Sequence, residues 1–141
     1  MHPTAIHETV RCVKLDDWVK SNSLSRLDFV KLDVEGAEIK VLEGGKDTLM
    51  EFKPRLIIEF NPHTLITFFD QAPEALFELL RSLYPNVYVI TRPDGALKKI
   101  GSFSELQVIP TELDVHDLYC TFPRSIFHFL EYFGRRPLGA P

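Results

Sequence analysis

The chain has 141 residues, 45% of them hydrophobic and 26% charged, with a formal net charge of −4. That is the size and composition of one globular domain, long enough to bury a core but short for a large complete enzyme fold. The acidic balance offers no electrostatic footprint for nucleic acid or an anionic membrane, and no apolar run approaches the length of a membrane span.

Met1–Val10 lacks the basic-then-apolar order of a secretory signal. Thr9 to Leu15 (TVRCVKL) predicts a short strand, and Asp16 to Lys20 a short helix capped by Asp16, with Trp18 and Val19 turned inward. Leu27 to Leu32 (LDFVKL) is apolar on both faces except at Lys31, the pattern of a parallel strand covered on both sides. A helical stretch from Glu35 to about Phe52 follows. Ile39, Leu42, Leu49 and Phe52 form its apolar face, Gly44 and Gly45 interrupt it, and Pro54 ends it.

Arg55 to Phe60 (RLIIEF) is the next strand, and Pro73 to Leu83 a helix with Leu76, Phe77, Leu80 and Leu83 on one face. Val87 to Thr91 reads as a strand, Arg92 to Gly95 as a turn, and Leu118 to Phe122 as the last strand. Ser125 to Phe133 is aromatic-rich and reads as a short helix, with packing rather than membrane anchoring as its use; the tail from Gly134 to Pro141 reads as loose. Strand and helix alternate as in an α/β layer built on a parallel sheet, closed by a final antiparallel strand or hairpin. Cys12 and Cys120 have no metal or redox spacing and read as buried free thiols, which favours a reducing, cytoplasmic setting.

The chemistry-bearing residues gather at strand ends. Asp33 ends one strand, and Glu59, Asn61 and His63 follow from the end of the next. Ligands of an open parallel sheet sit outside the carboxyl ends of its strands. Neighbouring carboxylates there need a cation, a proton or a helix N-terminus to offset their charge. Glu35 and Glu38 could be explained by the N-terminus of the following helix. Lys31 and Asp33, two apart on a strand, share a face and form either a structural ion pair or a base and charge relay. Glu59 is either a solvated strand end or a charge needing a partner beside the core. His63 is a loop residue, on the surface or in the site. His2, His7, His116 and His128 share no ligand spacing and read as structural or surface residues.

"VKLDDW" (Val13–Trp18), "FVKLDVEGAEIKVLEGG" (Phe29–Gly45), "KPRLIIEFNP" (Lys53–Pro62) and, more weakly, "DLYCTFP" (Asp117–Pro123) stand in the order and spacing of a known family. Over about Val10 to Pro123 the chain resembles the FkbM-type S-adenosylmethionine-dependent methyltransferases. The resemblance implies a partial class I methyltransferase (Rossmann-like) sheet, with residues 1–133 as the C-terminal half of such a domain and 134–141 as tail. It implies O-methyl transfer to a hydroxyl of a sugar or other small metabolite, with Asp33, Lys31 and Glu59 as catalytic residues and Glu35 and Gly36 at the cofactor. His63 and Glu38 would face the substrate. A positional likeness to metal-dependent catechol-type O-methyltransferases adds Asp33, Glu59 and Asn61 as ligands for Mg2+.

The glycine-rich cradle and ribose-binding acid of that fold are not found in the chain, so S-adenosylmethionine binding by the chain alone is expected to be weak. The missing half would lie upstream or come from another chain, and self-association through an exposed strand edge is expected. A non-catalytic binding or assembly module derived from the same fold is the alternative, and a metal-dependent hydrolase ranks last.

Overall fold

The computed structural model describes residues 9–111 and 114–123. The expected strand over Thr9–Leu15 does not form. Residues 9–14 are exposed and irregular up to helix α1 (Leu15–Ser21), and among the described residues no strand pairs with them. Cys12 is therefore exposed rather than buried, while Cys120 is buried and its thiol is pushed up to about 12 by desolvation. In α1 Val19 turns inward as expected, but Trp18 stays 48% exposed. Asp16 is not the cap of α1; it lies inside that helix.

Strand β1 (Phe29–Leu32) leads through a tight loop to α2 (Glu38–Gly44) and α3 (Lys46–Phe52), so the expected long helix starts later and is split at Gly45. A Cβ on Gly45 would lie 2.8 Å from Leu15 Cδ2, so the glycine lets α1 close against this junction. Asp16 finds its use here: its carboxylate accepts from Thr48 N at 2.8 Å and Asp47 N at 3.3 Å, capping α3 from a neighbouring helix. Lys53 closes α3 in the left-handed region, and Pro54 follows.

Strand β2 is Arg55–Phe60. It runs into helix α4 (Pro62–Phe69), where a loop is expected from the sequence, and then α5 (Pro73–Leu83), which has the expected bounds. Strand β3 (Asn86–Ile90), strand β4 (Leu97–Ile100), helix α6 (Phe103–Gln107) and strand β5 (His116–Thr121) complete the described chain. The expected helix over Ser125–Phe133 and the tail from Gly134 lie outside the described residues, as do His2, His7 and His128.

The sheet order is β1-β2-β5-β3-β4. Only β1 and β2 pair in parallel; β5 runs antiparallel to both β2 and β3, and β4 antiparallel to β3. The architecture is an α/β fold on a mixed five-stranded sheet. The last strand is antiparallel as expected and inserts between β2 and β3, while the antiparallel β4 beside β3 makes the sheet only partly parallel, which corrects the expectation of an otherwise parallel sheet.

The two faces of the sheet differ. Leu32, Leu56, Ile58, Phe60, Leu118, Cys120, Val87, Val89 and Ile100 are buried with Ile39, Leu42, Leu49, Leu76 and Leu80 of the helices. Each such side chain contributes about 1.5–3 kcal/mol of transfer free energy, which fixes the strand register. The alternate positions are less protected: Lys31 is exposed, and Ile57, Glu59, Tyr119, Asp117, Tyr88 and Ile90 are half-buried. The near-continuous apolar strands had suggested cover on both sides. Among the described residues the helices pack on one face only.

Among the described residues, no helix is long and apolar enough to cross a membrane.

Candidate functional site

The loop after β1 is built around Glu38 and Gly36. Glu38 is only 2% exposed. Its Oε1 accepts from Val34 N at 3.3 Å and Gly36 N at 3.2 Å, and its Oε2 has no hydrogen-bond partner among the described residues. Glu35 takes φ 52° and Gly36 φ 102°. Gly36 is pressed against α4, where an added Cβ would lie 2.7 Å from Thr64 O and 2.8 Å from Phe69 Cδ2. So the Asp33–Glu38 segment is a clamped turn: a buried carboxylate holds it from within, and a glycine lets it touch the next helix. Backbone curvature of this kind turns Asp33 and Glu35 outward.

The end of β2 is built around Asn61. Its Oδ1 accepts from His63 N at 3.1 Å and Thr64 N at 3.4 Å, so Asn61 is the N-cap of α4, and Pro62 occupies the first turn. Glu59, two residues earlier, projects from the less covered face of the sheet. Parallel pairing of β1 with β2 sets the two strand ends side by side. Asp33, Glu35 and Glu59 each bring one carboxylate oxygen to within 4.8 Å of the others. Lys31 Nζ lies 3.5 Å from Asp33 Oδ2, an exposed pair worth little to stability.

Burial raises the pKa of Glu59, and the charges of Asp33, Glu35 and Asp117 raise it further, against the opposing pull of Lys31. Asp117 is the register partner of Glu59 on β5, and Arg92 Nη2 holds its Oδ2 at 2.9 Å. The sequence alone does not reveal this further charge beside Glu59, because it is the pairing of β5 with β2 that brings Asp117 there.

The structure thus brings Lys31, Asp33, Glu35 and Glu59 together. Gly36 lies beneath them, against α4. Glu38 is inside the loop, Asn61 spends its oxygen on the helix cap, and His63 is exposed in the first turn of α4 rather than in a loop. Glu35 adds a carboxylate oxygen beside those of Asp33 and Glu59, while the Asn61 amide oxygen caps α4. Three hard oxygen donors at this spacing suit a divalent cation, and the raised pKa of Glu59 suits a proton acceptor.

An α/β sheet with a carboxylate cluster at the ends of two adjacent parallel strands is the class of protein defined so far. Comparison with known proteins narrows it. The model of the methyltransferase FkbM domain matches residues 3–84, more than half of the chain, and the chain belongs to that family. It is also similar to the 2-O-methyltransferase NoeI of Sinorhizobium fredii (strain NBRC 101917 / NGR234), with 44% identity over 41 residues. That stretch is 29% of this chain and 17% of the relative's length. No solved structure matches.

Proposed function

We propose that the chain takes part in O-methyl transfer to a hydroxyl of a sugar or other small metabolite, with Glu59 receiving the hydroxyl proton. The observation that carries this reading is the meeting of Asp33, Glu35 and Glu59 at one sheet edge, with Glu59 shifted toward neutrality by burial and by its neighbours. A base works best when its pKa approaches the working pH. Lys31 balances part of the local charge through Asp33. Asp33 and Glu35 would supply oxygen ligands to Mg2+, which would lower the pKa of a hydroxyl bound to it, leaving Glu59 free to take the proton.

Family membership implies S-adenosylmethionine as methyl donor. Among the described residues no glycine-rich turn follows a strand in the pattern of a cofactor cradle. The described residues therefore fit only part of that group, through the Glu35–Gly36 turn, and the reading assigns this chain the acceptor side of the reaction. A class I methyltransferase half-domain in the cytoplasm, completed by further polypeptide, is the architecture in which these residues make sense. Its acceptor is a small molecule, with no role for nucleic acid or membrane.

The test is transfer of label from methyl-tritiated S-adenosylmethionine at millimolar concentration to hydroxylated acceptors. The chain in a longer polypeptide that supplies the cofactor cradle is compared with the same polypeptide carrying Glu59→Gln or Asp33→Asn. Transfer lost in both variants, with melting temperatures retained, supports the reading; transfer that persists in both refutes it. A non-catalytic binding or assembly module is the second reading. The observation favouring it is the sheet face with Ile57, Tyr88 and Tyr119 that no described helix covers. Absence of any transfer, together with stable association with another chain, would select it.

A further inference from the structure

We infer that the open face of the sheet is a docking surface for this chain's own residues 125–133, which lie outside the described residues and would lie across Tyr119 and Tyr88 as an amphipathic helix. The inference is independent of the methyl-transfer reading. It rests on the face, on the place where the described chain stops, and on the pattern of the residues that follow.

The face is apolar at its centre. Strands β2, β5 and β3 hold the three inner positions of the sheet. Their register sets Ile57 beside Tyr119 and Tyr119 beside Tyr88, with the two tyrosine rings 6.2 Å apart at 39°. Side chains alternate along a strand, so this row points away from the described helices. Ile90 continues the surface along β3, and the exposed Leu97 stands next to it on β4. The charged groups of the face are marginal: Lys31 on β1 and Lys99 on β4 flank the row, and Glu59 and Asp117 stand at its end. A sheet is stable when each apolar face is covered by a further layer, and an apolar surface rimmed by charge marks an interaction site.

The occupant follows from the chain. The described residues stop at Pro123, just past β5, the middle strand of the sheet. Residues 125–133 (SIFHFLEYF) come next. At helical spacing Ile126, Phe129, Leu130 and Phe133 share one stripe, while Ser125, His128 and Glu131 share the opposite one. A helix this short is marginal in water, so such a stripe needs a surface to form on. The lengths match. From Thr121 back to Asp117 the strand covers about 13 Å, and a helix over residues 125–133 covers about 13 Å as well.

The connection is also long enough. The Phe122 ring faces the helix side, 4.9 Å from the Tyr84 ring. Pro123 cannot extend the ladder, so the strand stops there. The chain from Phe122 to Ser125 reaches about 10 Å when extended, which is about the separation of stacked layers. A helix set down beyond Thr121 therefore runs back along β5 with its apolar stripe over Tyr119 and Tyr88.

The test is NMR on the full chain, reading nuclear Overhauser contacts from the Tyr119 and Tyr88 rings to Ile126, Phe129 and Phe133. The inference expects these contacts in the wild type, their loss in Leu130→Glu, which puts a charge into the stripe, and their retention in Glu131→Gln on the opposite side. A sample mixing two differently labelled copies tells contacts within one chain from contacts between chains. Wild-type chain without the contacts overturns the inference, and so does their persistence in Leu130→Glu. Contacts seen only between the two labelled copies overturn it too, and give the face to a second copy. The wild-type measurement decides the matter by itself if Leu130→Glu fails to fold.

Discussion

Replacing Gly36 with alanine tests the architecture of the carboxylate turn. Gly36 sits at φ 102°, and an added Cβ would lie 2.7 Å from Thr64 O and 2.9 Å from Thr64 C. Those are backbone atoms of α4 and cannot swing aside. The left-handed backbone costs an L-residue about 1–2 kcal/mol, and forcing a methyl group into a packed contact adds about 1–3 kcal/mol. The expected loss is about 3 kcal/mol, or a melting temperature lower by about 10 °C for a domain of this size. Gly95→Ala is the control: its φ is 68°, but nothing lies within 4 Å of the new Cβ, so only the backbone cost of about 1 kcal/mol remains. Urea unfolding of both variants, read by circular dichroism, separates the contact from the backbone contribution. Equal losses in the two variants would refute the close seating of the turn on α4.

Glu59→Gln should stabilise the fold near neutral pH and leave it unchanged in acid. A carboxyl whose pKa is raised on folding holds its proton more tightly when folded, so its contribution to stability is complete below the unfolded value and is lost as pH rises through the folded one; thermal melts from pH 3 to pH 8 in which the advantage of Glu59→Gln does not grow with pH would refute this. Asp16→Ala should cost about 1 kcal/mol by uncapping α3. Desolvation raises the pKa of Asp16, but the hydrogen bonds from Thr48 and Asp47 outweigh it and the net shift is downward. That contribution is therefore present above the unfolded value and fades as pH falls through the folded one; an Asp16→Ala loss that does not shrink in acid contradicts it. The chain alone should bind S-adenosylmethionine weakly or not at all and should self-associate through the free edge of β1, where Phe29 is 47% exposed. Calorimetry and light scattering check both halves, and micromolar binding by a clean monomer would overturn them.

The elements that the sequence made legible are those whose signals are local. Helix α5 carries its proline at the first turn and its leucines at helical spacing, and its bounds match. Strand β2 is an apolar run closed by Pro54 and Pro62. The signals for α4 and α6 are also local but short: Asn61–Pro62 is a cap followed by a first-turn proline. Ser102 and Glu105 form a reciprocal cap, with Glu105 N on Ser102 Oγ at 3.3 Å and Gly101 N on Glu105 Oε2 at 2.9 Å. Strand β4 has two lysines in four residues and no apolar alternation to reveal it. The place of β5 inside the sheet depends on pairing between residues about sixty apart, which no local pattern encodes. The carboxylate cluster was legible in part because strand ends are legible. That Asn61 would be taken up by a helix cap was hidden with α4 itself.

Helix α4 explains why the two strand ends hold their carboxylates in register. Its first residue is fixed from the β2 side, where Asn61 caps it immediately beyond Phe60. Its body is fixed from the β1 side, where Thr64 O and the Phe69 ring lie against Gly36. Lys40 of α2 adds a contact from the same direction, its Nζ 4.8 Å from the Phe69 ring centroid. The turn carrying Asp33 and Glu35 and the strand carrying Glu59 are thus tied to one short helix as well as to each other through the sheet. Repulsion among three carboxylates would push an unsupported loop away from the strand end. Here the loop is held by the buried Glu38 and seated on α4, so the charges of Asp33 and Glu35 stay beside Glu59 and add to burial in raising its pKa. That constraint links the DVEGAE motif to the strand end that carries Glu59.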